Sequence, residues 1–182
     1  MAGKRPFAIA VSGGADSMAL MRLTVDWCTR HAEPFPRAVT VDHGLREASA
    51  QEAERVAAWA KVLGLEHVIL TWTAGPVTSN LQSQAREARY RLIGDWMQRN
   101  GVAQLLTGHT QDDQAETFLI RLARGSGLEG LTGMSPRSPF PLAEFANLEL
   151  VRPLLEVSHE ALVATLKQLG EEWIEDPSNA NT

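Results

Sequence analysis

Phe7-Ala8-Ile9-Ala10-Val11-Ser12-Gly13-Gly14-Ala15-Asp16-Ser17 is the stretch that decides the fold. Five consecutive apolar residues stop at Ser-Gly-Gly, and the apolar set Met18, Leu20, Met21, Leu23 and Val25 follows at once. A short continuous apolar run reads as a strand covered on both faces, the kind found inside a parallel sheet. The next element is a helix, with Asp16 or Ser17 as its expected cap. Ser12, Gly13, Gly14, Ala15, Asp16 and Ser17 lie between the two and suit a phosphate. Glycines let the backbone approach a ligand closely, successive amides and a helix N-terminus hold phosphate oxygens, and two hydroxyls add donors. A carboxylate beside phosphates repels them unless it holds a hard cation or caps amides, so Asp16 points to Mg²⁺. The stretch lacks the Lys of GxxxxGK[ST] and the spacing of GxGxxG, which sets aside the two commonest nucleotide loops. A plain strand–helix turn with Asp16 as its cap is the alternative.

Outward from this stretch the strand–helix alternation repeats. Arg37 to Val41 is a second strand ending in Asp42-His43-Gly44, and Ser49 to Leu63 is a helix with Ala53, Val56, Ala57, Ala60 and Leu63 at steps of three and four. Gly64 stops it, His67 to Leu70 is a third strand, and Gly75-Pro76 marks a connection. Ser79 and Gln82 resemble a capping box for a helix running to about Gln98. Gln104 to Thr107 is the fourth strand, and Asp112 to Leu122 the next helix. Gly125, Gly127, Gly130, Gly133, Pro136, Pro139 and Pro141 then punctuate a long irregular connection. Leu148 to Val151 is a fifth strand, Ser158 to Leu169 a helix, and Glu172 to Ile174 a short extended piece. The expected fold is α/β: an open three-layer sandwich around a mostly parallel five-stranded sheet, with ligands at the carboxyl ends of the strands.

The 182 residues fit one domain, and 44% apolar with 21% charged content is globular. The net charge of -5 argues against a general nucleic-acid binder. Locally, however, Gln84 to Arg99 carries Arg86, Arg89, Arg91 and Arg99 against only Glu87 and Asp95. The lone Cys28 excludes an internal disulfide and any multi-cysteine metal site, and suits a reducing cytoplasm. No stretch approaches the ~20 apolar residues of a membrane span, and nothing near the N-terminus resembles a signal peptide. A soluble, cytoplasmic protein with no membrane partner is expected.

Three further groups carry candidate chemistry. Asp42 and His43 stand at a strand's carboxyl end, as ligand-binding residues or as a capped turn. Gln82, Arg86 and Arg89 share a helix face, as a phosphate grip or a solvated surface. Gly108-His109-Thr110-Gln111-Asp112-Asp113-Gln114-Ala115-Glu116-Thr117 is the richest polar cluster, entering a helix whose positive end faces Asp112, Asp113 and Glu116. Asp112 as an N-cap is its bland reading.

Ser12-Gly13-Gly14-Ala15-Asp16-Ser17 resembles the SGGxDS signature of the PP-loop pyrophosphatases. Val41-Asp42-His43-Gly44-Leu45-Arg46, Gln82 to Tyr90 as QxxARxxRY, Gly108 to Met134 as GHxxDDQxExxLxRLxRGxGxxGLxGM, Arg152-Pro153-Leu154-Leu155 and Asp176-Pro177-Ser178-Asn179 all resemble the tRNA(Ile)-lysidine synthase family. The resemblance runs from Ala8 to Asn179 and implies a Rossmann-like PP-loop fold of the adenine nucleotide alpha hydrolase type. It implies ATP and Mg²⁺ as cofactors, and as partners a tRNA(Ile) with a CAU anticodon and free L-lysine. The implied reaction adenylates the C2 oxygen of the wobble cytidine, releases pyrophosphate, and lets the lysine amine displace AMP. Candidate catalytic residues are then Asp16, Asp42, Arg86, His109, Asp112 and Asp113, with Asp16 and Asp113 as Mg²⁺ ligands. Residues 1–182 correspond to the ATP-binding catalytic domain, the family's C-terminal tRNA-binding domains being expected beyond this chain. A homodimer is compatible with the sequence, which itself assigns no oligomeric state. With Cys28 alone and no CxxC, the sulfur transfer of neighbouring tRNA-thiolating enzymes is not expected.

Overall fold

The computed structural model describes residues 6–44, 48–72, 81–125 and 132–175. Leu45-Arg46, Gly75-Pro76, Ser79, Gly127, Gly130 and Asp176 to Asn179, and with them the expected capping box at Ser79, lie outside the described residues. In chain order the elements are β1 (Phe7–Ala10), α1 (Ala15–His31), β2 (Arg37–Asp42), α2 (Ser49–Val62), β3 (Glu66–Thr71), α3 (Leu81–Arg99), β4 (Gln104–Leu106), α4 (Gln111–Ala123), β5 (Arg137–Pro139), a 3₁₀ turn (Ala143–Phe145), β6 (Glu149–Val151) and α5 (His159–Leu169).

The sheet order is β3-β2-β1-β4-β6-β5, parallel throughout except for β5, which pairs antiparallel with β6. The expected five strands are therefore six. The extra one, Arg137–Pro139, has neither an apolar run nor alternation, so no local signal marks it. A proline is tolerated there because an edge strand leaves one row of backbone groups unpaired. Arg137 fastens it from outside, donating through Nε and Nη2 to the two carboxylate oxygens of Glu149, both at 2.8 Å.

The alternation of side chains along a strand explains the continuous apolar runs. Ala8 and Val39 enter one core with Tyr90, Ile93 and Met97 of α3, Leu105 of β4 and Leu150 of β6. Ile9 and Ala38 enter the other, with Met18, Leu20 and Met21 of α1, Val56 and Ala60 of α2, and Leu162 and Leu166 of α5. β1 and β2 are thus apolar on both faces, and the three-layer expectation holds. Cys28 is buried on α1. By contrast α4 buries no side chain fully, leaving Phe118, Leu119, Ile120 and Leu122 exposed.

Thr40 joins the first three strands just below the carboxyl end of the sheet. Its hydroxyl donates to the carbonyl of Val11 at 2.7 Å, so the 2.8 Å contact with His67 Nε2 requires the imidazole to be the donor. This fixes the backbone at the point where the Ser-Gly-Gly stretch begins. None of the described residues forms a helix long and apolar enough to cross a membrane.

Candidate active site

The chain runs from β1 outward to β2 and β3, then returns to the opposite side of β1 at β4. The segments after β1 and β4 diverge, and an open α/β sheet places its ligand crevice at such a reversal. A cleft of about 910 Å³ lies there. Of the residues singled out from the sequence, Ser12, Gly14, Ala15, Asp16, Ser17, Asp42, Arg86, His109 and Asp113 line it, as do His43 and Arg89. Gly13, Asp112 and Glu116 do not.

The Ser12–Ser17 turn is closed on itself. The Ser17 hydroxyl donates to the Gly14 carbonyl (2.9 Å) and accepts the Ser12 amide (3.2 Å), with the two Oγ atoms 3.2 Å apart. Gly14, not Asp16 or Ser17, is the N-cap of α1, and no side chain caps the helix. The capping expectation is corrected for this reason: Ser17 reaches back to the carbonyl of Gly14, and Asp16 points into the cleft. Two close approaches set the turn's position. Gly13 has φ +93°, accepts the amide of Ile174 at 2.9 Å and lies against the Ile174 side chain, which a Cβ would meet at 2.5 Å. A Cβ at Gly108 would lie 3.0 Å from the backbone of Asp16 and Ser17. The carboxyl end of β4 thus abuts the first turn of α1.

The acidic residues differ in what holds them. Asp16 Oδ1 is 2.8 Å from Nδ1 of His159, a residue of α5 that the sequence reading did not single out. Burial raises the Asp16 pKa above 3.8; the hydrogen bond and charge of His159 oppose this, while Asp113 and Asp112 add to it. Asp113 closes a capping box on α4, its Oδ2 accepting the Thr110 amide at 2.7 Å, so the N-cap of α4 is Thr110 and not Asp112. Asp112 instead accepts the amide of His159, the first residue of α5, at 2.7 Å, while Ser158 is the N-cap of that helix. Asp42 accepts the Gly44 amide (2.9 Å) and the Ser49 hydroxyl (2.7 Å) on one oxygen, which with Ser49 first lowers its pKa. No periodicity announces the two pairings with His159, because they join residues 47 and 143 positions apart.

A PP-loop domain model matches residues 2–182. The chain belongs to the PP-loop family. Ser12–Ser17, the segment that resembles the SGGxDS signature, is referred to as the PP-loop. The chain is 45% identical over 174 residues to "tRNA(Ile)-lysidine synthase" of Wolbachia pipientis wMel, covering 94% of this chain and 39% of that protein. It is 48% identical over 175 residues to the protein of the same name from Ruegeria pomeroyi, covering 96% and 40%. The chain therefore spans about two fifths of the length of these curated relatives. Among solved structures, the "U34-tRNA thiolase NcsA from Methanococcus maripaludis with its [4Fe-4S] cluster" superposes with TM-score 0.76 at 16% identity over 96% of this chain and 61% of that one, a likeness of fold alone.

Opposite the PP-loop, α3 lines the cleft with Arg86 and Arg89. The Arg86 guanidinium stacks 5.3 Å from the Tyr90 ring centroid, and Arg89 Nε donates to His43 Nε2 at 3.3 Å. Neither arginine has a carboxylate partner among the described residues. The neutral His43 then carries its proton on Nδ1, which is buried without a partner among the described residues. His109 contacts the Thr107 hydroxyl through Nδ1 at 2.8 Å.

Burial lowers the pKa of His43, His67 and His109 from the ordinary 6.5, with Arg89 adding to the effect at His43 and the charge of Asp113 opposing it at His109. The unfolded chain takes up these protons below about pH 6.5, the folded chain only at lower pH. Stability is thus fully present above the unfolded value and is lost as pH falls through the folded values. The urea midpoint is expected to fall between about pH 7.5 and about pH 5.5. An unchanged midpoint across that interval would contradict the assignment of these imidazoles as neutral.

The donor set around the PP-loop fits Mg²⁺ better than a closed protein cage. Among the described residues no three His, Cys, Asp or Glu side chains gather as a metal site. Mg²⁺ is commonly held by one or two carboxylates with phosphate oxygens and water completing the octahedron. Burial first, and then the charges of Asp113 and Asp112, raise the Asp16 pKa, and a bound cation offsets both costs of ionising it.

Proposed function

We propose that the chain performs the nucleotide-activating chemistry of a tRNA(Ile)-lysidine synthase: ATP adenylates the C2 oxygen of the wobble cytidine in a CAU anticodon with release of pyrophosphate, and the amine of free L-lysine then attacks C2 and displaces AMP. The observation that carries this reading is the convergence of Ser12–Ser17, Asp16, Arg86, His109 and Asp113 on one cleft, in a chain 45–48% identical to relatives of that name. Ser12 and Ser17 with the amides of the PP-loop hold the phosphates that leave as pyrophosphate. Asp16 and Asp113 would hold Mg²⁺, which neutralises charge developing on the leaving group. Arg86 and Arg89 face the α-phosphate or the RNA backbone from the α3 side.

An incoming lysine must lose a proton before its amine is nucleophilic. His109 is neutral at pH 7 and sits beside Asp113, which suits the pair to accept that proton and orient the amine. Asp42, held ionised by Ser49 and Gly44, is the weaker base and serves the turn into α2. Asp112, occupied by the α5 amide, supports the site through His159. On this reading residues 1–182 form the catalytic domain, and tRNA recognition is shared with the parts of the relatives that lie outside this match.

The test is incorporation of labelled lysine into a tRNA(Ile) transcript with a CAU anticodon, by this chain alone and by this chain joined to the remaining segment of the Ruegeria pomeroyi relative. Lysine-dependent AMP and pyrophosphate release with that tRNA is expected from the joined protein. Pyrophosphate release that ignores lysine would point to a different acceptor, and ATP binding without release to a module lacking turnover; either overturns the proposal.

A further inference from the structure

The PP-loop contains no cation. Its fixed charge is the carboxylate of Asp16, and the two cleft arginines stand on the opposite, α3 side. A β,γ-diphosphate held by amides and hydroxyls alone would keep most of its negative charge uncompensated. The α5 side supplies what is missing. His159, Val163 and Lys167, spaced by four residues, lie on one helix face, and all three line the cleft together with Trp173 and Ile174. The Ile174 amide donates to Gly13 at 2.9 Å, so this wall is tied directly to the PP-loop. His159 is fixed by Asp112 at its amide (2.7 Å) and reaches Asp16 Oδ1 with Nδ1 (2.8 Å). Its side chain remains 48% exposed and so is reachable by a ligand.

We propose that the imidazole of His159, as a hydrogen-bond donor, and the ammonium of Lys167 form the wall of the PP-loop that receives the β,γ-diphosphate, whether as part of ATP or as released pyrophosphate. In the structure His159 is turned to Asp16. When a phosphate arrives, the imidazole donates to its oxygens and Asp16 is released toward the cation side. Lys167, two turns further along α5 and exposed, adds a mobile point charge over the same phosphates. The inference rests on the reading of Ser12–Ser17 as a phosphate site.

Calorimetric titration with magnesium pyrophosphate, and separately with AMP, tests it. The unaltered chain is expected to bind both. His159→Ala and Lys167→Ala are each expected to weaken pyrophosphate by about tenfold while leaving AMP affinity and the melting temperature unchanged, and Lys167→Arg is expected to restore binding. Equal pyrophosphate affinity in both alanine variants overturns the α5 assignment but leaves the phosphate reading of the loop intact. A matching loss of AMP affinity also overturns it, showing a general structural effect. Failure of the unaltered chain to bind either ligand defeats the reading of the cleft itself.

Discussion

Asp16→Asn is expected to lower ATP turnover by about 10²–10³-fold or more and to leave the melting temperature at pH 7 unchanged or raised. The opposed signs follow from one cause. Burial raises the folded pKa of Asp16, so ionising this group costs the fold something. For a raised pKa the stabilising contribution is fully present below the unfolded value of 3.8 and is lost as pH rises through the folded value. At neutral pH the native carboxylate therefore sits on the unfavourable side of that step. Asparagine keeps the shape and can still hydrogen-bond His159, but removes the charge. It also removes the group proposed to hold Mg²⁺, and stability is commonly traded for activity at such positions. Thermal melts of both proteins at pH 7 and turnover by the joined enzyme check the pair of effects. A lower melting temperature with unimpaired turnover would show that Asp16 is a structural cap after all.

Gly108→Ala is the second large effect, although residue 108 makes no contact through any side chain of its own. A methyl group there would lie 3.0 Å from the backbone carbonyl of Asp16 and the amide nitrogen of Ser17. Backbone cannot rotate aside as a side-chain tip can, so β4 and the first turn of α1 must separate. Overpacking of this kind costs about 1–3 kcal/mol, which lowers the melting temperature by several degrees in a domain of this size. It also displaces the PP-loop amides, and nucleotide affinity is expected to fall by at least about tenfold. Gly101→Ala is the control. Unlike Gly108 it has a positive φ, +65°, and a Cβ there meets nothing within 4 Å. That variant is expected to lose stability through backbone strain alone and to keep its nucleotide affinity. Equal affinity losses in the two variants would refute the packing explanation.

Most of the layer order was legible in the residues. Ala8 and Ile9, like Ala38 and Val39, are both apolar because successive strand residues enter different cores, and a run without alternation is the direct trace of that burial. The places where the linear reading failed each have a physical reason. Arg137–Pro139 becomes a strand only because β6 is beside it to pair with. Gly14 caps α1 because the Ser17 hydroxyl is taken by Ser12 and by the Gly14 carbonyl. Asp112 accepts the first amide of a helix that begins 47 positions later. The β5–β6 and Asp112–His159 contacts have no local period, whereas the Gly14 cap is local and depends on which acceptor the Ser17 hydroxyl takes.

The same division applies to the PP-loop with which the chain begins its chemistry. By itself the sequence determined the strand, the glycine turn, the helix and the residue types that suit a phosphate, because those depend on neighbouring residues and on backbone freedom at Gly13 and Gly14. Only the tertiary structure decided what surrounds that loop: Gly108 pressed against it, Arg86 and Arg89 across the cleft, and His159 on Asp16. These groups meet because the chain reverses direction in the sheet between β1 and β4, which brings the ends of distant strands to a single edge.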